Sequence, residues 1–128
     1  ILNFDEDLNS KKITKSIEIV YGLRNFIGNA NKFSKSKVFI RLKSDTNFTQ
    51  INIEDDGNGF PNDIISKIGE PYLKSSKSLK EKSGLGLGLF IGKTLLEKNF
   101  ATVSCWNSEK RGGAEVVIKW KNKDLFNL

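Results

Sequence analysis

The 128-residue sequence has no histidine, no methionine and one cysteine. Without histidine, none of its side chains can carry a phosphohistidine. Cys105 cannot form an internal disulfide, which fits a reducing compartment and an ordinary strand residue. The chain starts with Ile-Leu and lacks methionine, so we expect it to be a piece of a longer protein. No apolar run approaches the roughly 18 residues that span a bilayer, and no signal peptide is visible.

Length and composition favour one globular domain spanning residues 1–128. The net charge is +6, with a pI of about 9.4. The lysines are dispersed rather than gathered in a stripe, which argues against nucleic acid and favours a smaller anionic ligand. The densest group is Lys74, Lys77, Lys80 and Lys82, just before a glycine-rich turn.

Two glycine-alternating segments lie about thirty residues apart, at Asp55–Gly59 and Gly84–Leu89. Glycine lets the backbone approach a ligand closely, and a helix start presents free N–H groups to an anion. The first segment opens on a carboxylate, and the second leads into an apolar helical run. Together they predict a nucleotide site, with a carboxylate for the base and a glycine turn for the phosphates.

Two other phosphate motifs are excluded by their spacing and context. The dinucleotide fingerprint needs G-x-G-x-x-G directly after a strand, whereas here G-x-G-x-G follows a polar loop. Gly92-Lys93-Thr94 resembles the end of a P-loop, but the required earlier glycine is Leu87. We therefore expect Lys93 to be solvated on a helix.

The hydrophobic spacing predicts a two-layer α/β sandwich, in which helices cover one face of a mixed β-sheet. A strand over 1–4 is followed by polar sequence, and Ser16 is expected to cap the first long helix. The predicted elements are a helix at 17–33, strands at 37–43 and 49–54, a short helix from Pro61 to Ile68, a polar lid at about 69–85, a helix at 86–98, and strands at 101–106 and 114–120.

Asn25 and Asn29 lie one turn apart on the first helix, beside its apolar stripe. An amide oxygen can bind Mg²⁺, and Lys32 adds a cation one turn further on. The alternative is a pair of surface asparagines in an asparagine-rich chain. Asp55 also has two interpretations. It is either an acidic turn residue or a carboxylate that accepts a hydrogen bond from the exocyclic amine of a nucleotide base.

With these segments in order, the chain resembles the catalytic ATP-binding domain of bacterial sensor histidine kinases, in the Bergerat-fold (GHKL) group that includes gyrase, Hsp90 and MutL. The resemblance covers residues 16–120, the expected core. It rests on five segments: Asn25–Phe33, Asp55–Gly59, Pro71-Tyr72, Gly84–Leu89 and Gly112–Ala114. Residues 69–72 and 113–116 look most like the RegB/PrrB branch, whose kinases respond to redox state.

The resemblance implies a set of ATP-binding and catalytic residues. Asn29 would bind Mg²⁺, Asn25 would support it, and Lys32 and Lys77 would join Asn29 in catalysis. Asp55 would bind the adenine amine. The other implied nucleotide-binding residues are Phe33, Gly57, Gly59, Ile68, Ser75, Ser76, Gly84, Leu85, Gly86, Leu87, Gly88, Leu89 and Val116. Leu73 stands where many members carry arginine, and Lys74 follows, which leaves open which lid cation meets the terminal phosphate.

The resemblance also implies a protein histidine kinase that uses ATP and Mg²⁺. The phosphoryl group would pass to a histidine on a separate dimerisation domain, and a response regulator would act downstream. A cytoplasmic domain of a membrane-anchored sensor is expected, with membrane contact only through other parts of the protein. The alternatives are an anti-sigma-factor-type protein serine kinase and a non-catalytic nucleotide-binding module.

Overall fold

The computed structural model describes residues 6–68 and 84–125, with side chains at 12–65 and 88–125. The helices are α1 (Glu6–Phe33), α2 (Asn62–Ile68), α3 (Gly84–Lys98) and the single turn α4 (Asn122–Leu125). The strands are β1 (Val38–Ser44), β2 (Phe48–Asp55), β3 (Thr102–Asn107) and β4 (Ala114–Lys121). The predicted order of helices and strands is confirmed over these residues. The predicted strand at 1–4 and the lid, apart from Gly84 and Leu85 in α3, lie outside them.

The four described strands form one sheet in the order β1-β2-β4-β3, and every neighbouring pair is antiparallel. The two-layer α/β architecture is as predicted, while the expectation of a mixed sheet differs from these pairings. Alternate residues of β4 face the helices and are buried, namely Ala114, Val116, Ile118 and Trp120. The period-2 pattern therefore orients this central strand correctly.

The long helix α1 begins at Glu6, eleven residues before the predicted start at residue 17. Ser16, the predicted cap, lies inside the helix. The polar stretch before it has no apolar period, but it also lacks glycine and proline, so nothing interrupts the helix.

α1 and α3 pack with their backbones close together at two glycines. A Cβ atom on Gly22 would lie 2.8 Å from Leu96 Cγ, and one on Gly92 would lie 3.0 Å from Phe26 Cε2. Phe26, Leu96 and Phe90 are almost fully buried between the helices and the sheet. This contact sets the start of α3 beside the asparagine-bearing turns of α1.

The C-terminal end of α3 closes with Phe100 in the left-handed conformation, at φ 71°. Phe100 N donates to Glu97 O (3.1 Å), and Ala101 N donates to Leu96 O (3.0 Å). This is the Schellman arrangement, whose left-handed residue is usually glycine. A side chain there costs roughly 1 kcal/mol of backbone strain.

Candidate functional site

Asp55 ends β2 on the face of the sheet that the helices cover, two residues after the buried Ile53. Its side chain is 2% exposed. Oδ1 accepts hydrogen bonds from Gly57 N (2.8 Å) and Ala114 N (3.3 Å). Oδ2 accepts none from the described residues. One oxygen is thus held by the backbone, and the other is left for a ligand.

Two glycines pack directly against this carboxylate. A Cβ on Gly113 would lie 2.0 Å from Asp55 O and 2.5 Å from its Oδ1. A Cβ on Gly57 would lie 2.1 Å from Phe33 O. Only glycine fits at either position without moving backbone. Gly113 was part of the glycine turn in the sequence but not of the predicted site.

A cavity of about 130 Å³ opens beside Asp55. We call it the Asp55 cavity. Its walls are mostly apolar or backbone, and Asp55 is its one charged lining residue among those described. The lining residues are Asn29, Phe33, Asp55, Gly59, Phe60, Pro61 and Ala114. Such a space suits a flat ring with one donor aimed at a carboxylate.

Asn107, at the end of β3, holds the loop that forms one wall of this cavity. Its Oδ1 accepts from Phe60 N (2.7 Å), and its Nδ2 donates to Phe60 O (3.1 Å). The preceding Gly59 has φ 81°, and a Cβ there would lie 2.7 Å from Asn107 Oδ1. Asn107 is a site-supporting residue that sequence reasoning missed, since it lies 47 residues from its partner.

A second cavity, of about 240 Å³, lies between α1 and the first turns of α3. We call it the Gly88 cavity. It shares Asn29 and Phe33 with the Asp55 cavity, so the two spaces adjoin. Its lining residues are Arg24, Asn25, Gly28, Asn29, Lys32, Phe33, Gly88 and Leu89. Among the described side chains they include two cations and no carboxylate, which suits a polyanion.

The orientation of Asn25 is fixed by a hydrogen bond within α1. Its Nδ2 donates to Tyr21 O (3.0 Å), and its Oδ1 faces Gly88, where a Cβ would lie 3.6 Å away. The amide therefore presents oxygen, not nitrogen, to the Gly88 cavity. Arg24, the preceding residue, is a second cation that the sequence interpretation overlooked.

Asp56, the neighbour of Asp55, holds the turn between α1 and β1. Its Oδ1 accepts from the backbone N–H groups of Lys35, Ser36 and Lys37, and its Oδ2 accepts from Ser36 Oγ (2.6 Å). These bonds, the Ser36 hydroxyl above all, hold the pKa of Asp56 well below its usual range. Asp56 therefore supports the turn that positions Phe33 and lines neither cavity.

The predicted site residues differ in where the structure places them. Asn25, Asn29, Lys32, Phe33, Asp55, Gly59, Gly88 and Leu89 line the two cavities, and Gly57 supports the carboxylate. Val116 is buried in the core and lines neither cavity. Ile68, Gly84, Leu85, Gly86 and Leu87 have described backbone only, in α2 and α3, and Ser75, Ser76 and Lys77 lie outside the described residues.

Lys93 and Cys105, which the sequence analysis did not assign to the nucleotide site, have structural surroundings. Lys93 pairs with Glu97 (2.8 Å) and is 16% exposed, so it is less solvated than predicted. Gly92 serves helix packing rather than phosphate binding. Cys105 is half-buried in β3, and desolvation raises the pKa of its thiol to about 12.

Within the described residues, no group of histidine, cysteine, aspartate or glutamate side chains is suited to hold a metal ion. No helix in that part of the chain could cross a membrane.

Comparison with known proteins gives a consistent set of matches. The model of the histidine kinase-, DNA gyrase B- and HSP90-like ATPase family matches residues 14–124. The sensor histidine kinase RegB of Cereibacter sphaeroides is 37% identical, over 84% of this chain and 27% of that protein. Sporulation kinase B of Bacillus subtilis is 34% identical, over 83% of this chain and 23% of that protein. The chain thus spans about a quarter of these relatives.

Solved structures give the same result for the fold. The mycobacterial sensor histidine kinase MprB aligns with a TM-score of 0.60 at 25% identity, covering 79% of this chain and 70% of that one. Full-length ShkA, in complex with AMPPNP, aligns with a TM-score of 0.60 at 25% identity, covering 80% of this chain and 21% of that one.

Proposed function

The chain belongs to the family of histidine kinase-, DNA gyrase B- and HSP90-like ATPases, and from that premise we propose that it binds Mg-ATP and donates the terminal phosphoryl group to a histidine on a separate dimerisation domain. The proposal treats residues 1–128 as one domain with its core at 16–120. The observation that carries it is the pair of adjoining cavities, one with a single carboxylate and one with two cations.

The Asp55 cavity is proposed to take the adenine ring. Asp55 Oδ2 is the acceptor for the exocyclic amine, because Oδ1 is already held by Gly57 and Ala114. The glycine walls let the ring lie against backbone. Hydrogen bonds to a charged group contribute about 1.5–3 kcal/mol each, enough to select adenine over rings without that amine.

The Gly88 cavity is proposed to take the phosphates and Mg²⁺. Asn29, which lines both cavities, is the metal ligand, and Asn25 supports it with an oxygen that faces Gly88. Neutral amide oxygens suit Mg²⁺, which keeps several waters and shares its charge with phosphate oxygens. Bound there, the metal would neutralise charge on the transferring group. Lys32 and Arg24 add positive charge, and Gly88 lies in the first turns of α3.

Several expectations remain part of this proposal. The phosphoryl acceptor must be elsewhere, because the chain contains no histidine. The partners would be the protein's own dimerisation domain and a response regulator, with no nucleic acid. The location would be cytoplasmic, with membrane contact only through other parts of the protein. The assignment of Lys77 and the lid serines to the terminal phosphate, and a redox-responding input, stay predictions.

The decisive test replaces Asn29 and follows Mg²⁺ dependence. Asn29→Ala should abolish most of the gain in ATP affinity on adding Mg²⁺, while adenosine affinity should change much less, although Asn29 also lines the Asp55 cavity. The matched control is Asn31→Ala, on the same helix but outside both cavities. If the Mg²⁺ dependence survives in Asn29→Ala, the metal assignment is wrong.

Phosphoryl transfer is tested by supplying the parent protein's helical domain separately. Acid-labile phosphate should appear on that domain and disappear when its histidine is replaced. Tight Mg-ATP binding without transfer would contradict the kinase assignment and favour a non-catalytic module. Transfer to a serine of a partner protein would favour the anti-sigma-factor type.

A further inference from the structure

A cavity of about 310 Å³ lies at the end of the sheet far from the Asp55 cavity, and the proposed function does not use it. β2 runs from one end to the other, since it starts at Phe48 and ends at Asp55. A strand of that length separates the two ends by roughly 23 Å. We call this space the Phe100 cavity. Its lining includes Phe48, Phe100, Lys119, Trp120, Lys121 and Asp124.

Phe100 combines two features that packing within the described chain does not explain. It holds the left-handed position of a Schellman turn, at φ 71°, where glycine would form the same hydrogen bonds without strain. Phe100 is also 57% exposed. Strained backbone and an exposed aromatic at one residue mark a candidate for interaction with a partner.

The surroundings of Phe100 define the chemistry of that partner. Phe48, 37% exposed, adds a second aromatic wall. The Lys119 ammonium lies 4.2 Å from the Phe48 ring centroid, and that of Lys15 lies 6.0 Å from the Phe100 ring centroid. Lys121 also lines the cavity, and Asp124 is its one acidic lining residue among those described. The cavity is therefore aromatic inside and positively charged around it.

We propose that the Phe100 cavity is a docking site for an acidic segment of a partner protein, which inserts an aromatic side chain and places carboxylates against the lysines. The concave shape accommodates one side chain, as anchor pockets at protein interfaces do. The lysines supply charge complementarity. The Asp55 and Gly88 cavities lie at the other end of the sheet, so a bound segment leaves the nucleotide free to exchange. The inference does not depend on the proposed function.

The test titrates the ¹⁵N-labelled 128-residue chain with the peptide acetyl-Glu-Asp-Phe-Glu-Asp-amide. Amide shifts should concentrate at Phe100, Thr102 and Lys121, and affinity should fall at least about tenfold from low to high salt. The control peptides carry serine for the phenylalanine, or lysine for the four acidic residues. Both should bind at least about tenfold more weakly.

The key variant is Phe100→Gly, which removes the ring and relieves the backbone. Peptide affinity should fall at least about tenfold, while the thermal midpoint is unchanged or higher and ATP affinity is unchanged. Lys121→Gln should reduce peptide affinity by a smaller factor. Lys110→Gln, an equal loss of charge in the β3–β4 turn, should leave it unchanged.

Three outcomes would overturn the proposal. The first is the absence of peptide binding, or binding that survives Phe100→Gly. The second is association with phosphatidylserine vesicles that Phe100→Gly abolishes, without peptide binding, which would make the patch a membrane contact. The third is concentration-dependent self-association that the same substitution abolishes, which would make the occupant a second copy of the chain.

Discussion

The Asp55 cavity and the Gly88 cavity adjoin through Asn29 and Phe33, yet their polar groups are held in different ways. In the first, backbone N–H groups hold one oxygen of a single buried carboxylate. In the second, the cations Arg24 and Lys32 are carried by α1, and Arg24 is exposed. The first is built to recognise a hydrogen-bonding pattern, and the second to neutralise charge. Substitutions in the Asp55 cavity should therefore affect hydrogen-bond recognition of the ligand, and substitutions in the Gly88 cavity should affect neutralisation of its charge.

The largest effect is expected from Gly113→Ala. The new methyl group would overlap the Asp55 carbonyl oxygen, so backbone must move and the Asp55 cavity is distorted. We expect a loss of about 3 kcal/mol in the free energy of unfolding, measured by urea denaturation, together with loss of ATP binding. Gly28→Ala is the control for stability alone, because nothing lies within 4 Å of a Cβ added there, on an exposed turn of α1, although Gly28 lines the Gly88 cavity. It should stabilise the fold by roughly 0.5–1 kcal/mol. Equal stability losses in both variants would contradict the close approach at Gly113.

The next effect is expected from Asp55→Asn. The amide oxygen can still accept from Gly57 and Ala114, so the fold should persist. The other position becomes an N–H₂ donor that opposes the adenine amine. ATP and adenosine affinities should fall together, by roughly 10- to 100-fold, in calorimetric titrations. The preference for ATP over GTP should shrink, because guanine offers an acceptor at that position. A loss confined to ATP, with adenosine unaffected, would mean that Asp55 does not meet the base.

A smaller and more selective effect is expected from Lys32→Gln. Its ammonium lies 5.3 Å from the Phe33 ring centroid and lines only the Gly88 cavity. ATP affinity should fall by about threefold to tenfold, with adenosine binding unchanged and a weaker dependence on salt. Lys35→Gln, at an exposed position outside both cavities, is the matched control. If adenosine binding also weakens, the two cavities are not separable as described.

The smallest effect is expected from Asp56→Asn, and it depends on pH. The pKa of Asp56 is lowered on folding, so the carboxylate stabilises the native state above its unfolded pKa of about 3.9. That contribution disappears as pH falls from there through the lower folded pKa. Thermal midpoints of the wild type should therefore decline more steeply below about pH 4 than those of Asp56→Asn. At neutral pH the variant should be modestly less stable and still bind ATP. If the thermal midpoints of the wild type and of Asp56→Asn fall equally as pH is lowered, Asp56 does not stabilise the turn through its carboxylate.

The contacts that could be predicted from sequence are those made by residues close together in the chain. Asp55 and Gly57 are two residues apart, and they make a hydrogen bond within the segment Asp55–Gly59 that the sequence analysis assigned to the base pocket. Asn25, Asn29 and Lys32 share one helix, so the 3.6-residue period places them along one face.

The contacts that escaped prediction connect distant parts of the chain. Asn107 holds Phe60, and Ala114 N reaches Asp55, across 47 and 59 residues. An asparagine at the end of a strand, such as Asn107, can have many structural roles, and so can a residue that begins one, such as Ala114. The neighbouring sequence does not identify the distant residue that each of them contacts. The early start of α1 was missed for another reason, since its first ten residues are mostly polar and continuation from the packed half of the helix decides their conformation.

The half-buried thiol of Cys105 gives this chain a built-in reporter of its own opening. Desolvation raises the pKa of this thiol to about 12, which slows its reaction with thiol reagents in the native state, and opening of the strand should speed that reaction. Because the chain has one cysteine, the labelling rate reports on a single site. If the nucleotide binds only the native form, in which the strand is not open, it should slow labelling. At nucleotide concentrations well above the dissociation constant, the labelling rate should fall in inverse proportion to the concentration. Affinities for every variant above can thus be measured without a radioactive or fluorescent nucleotide.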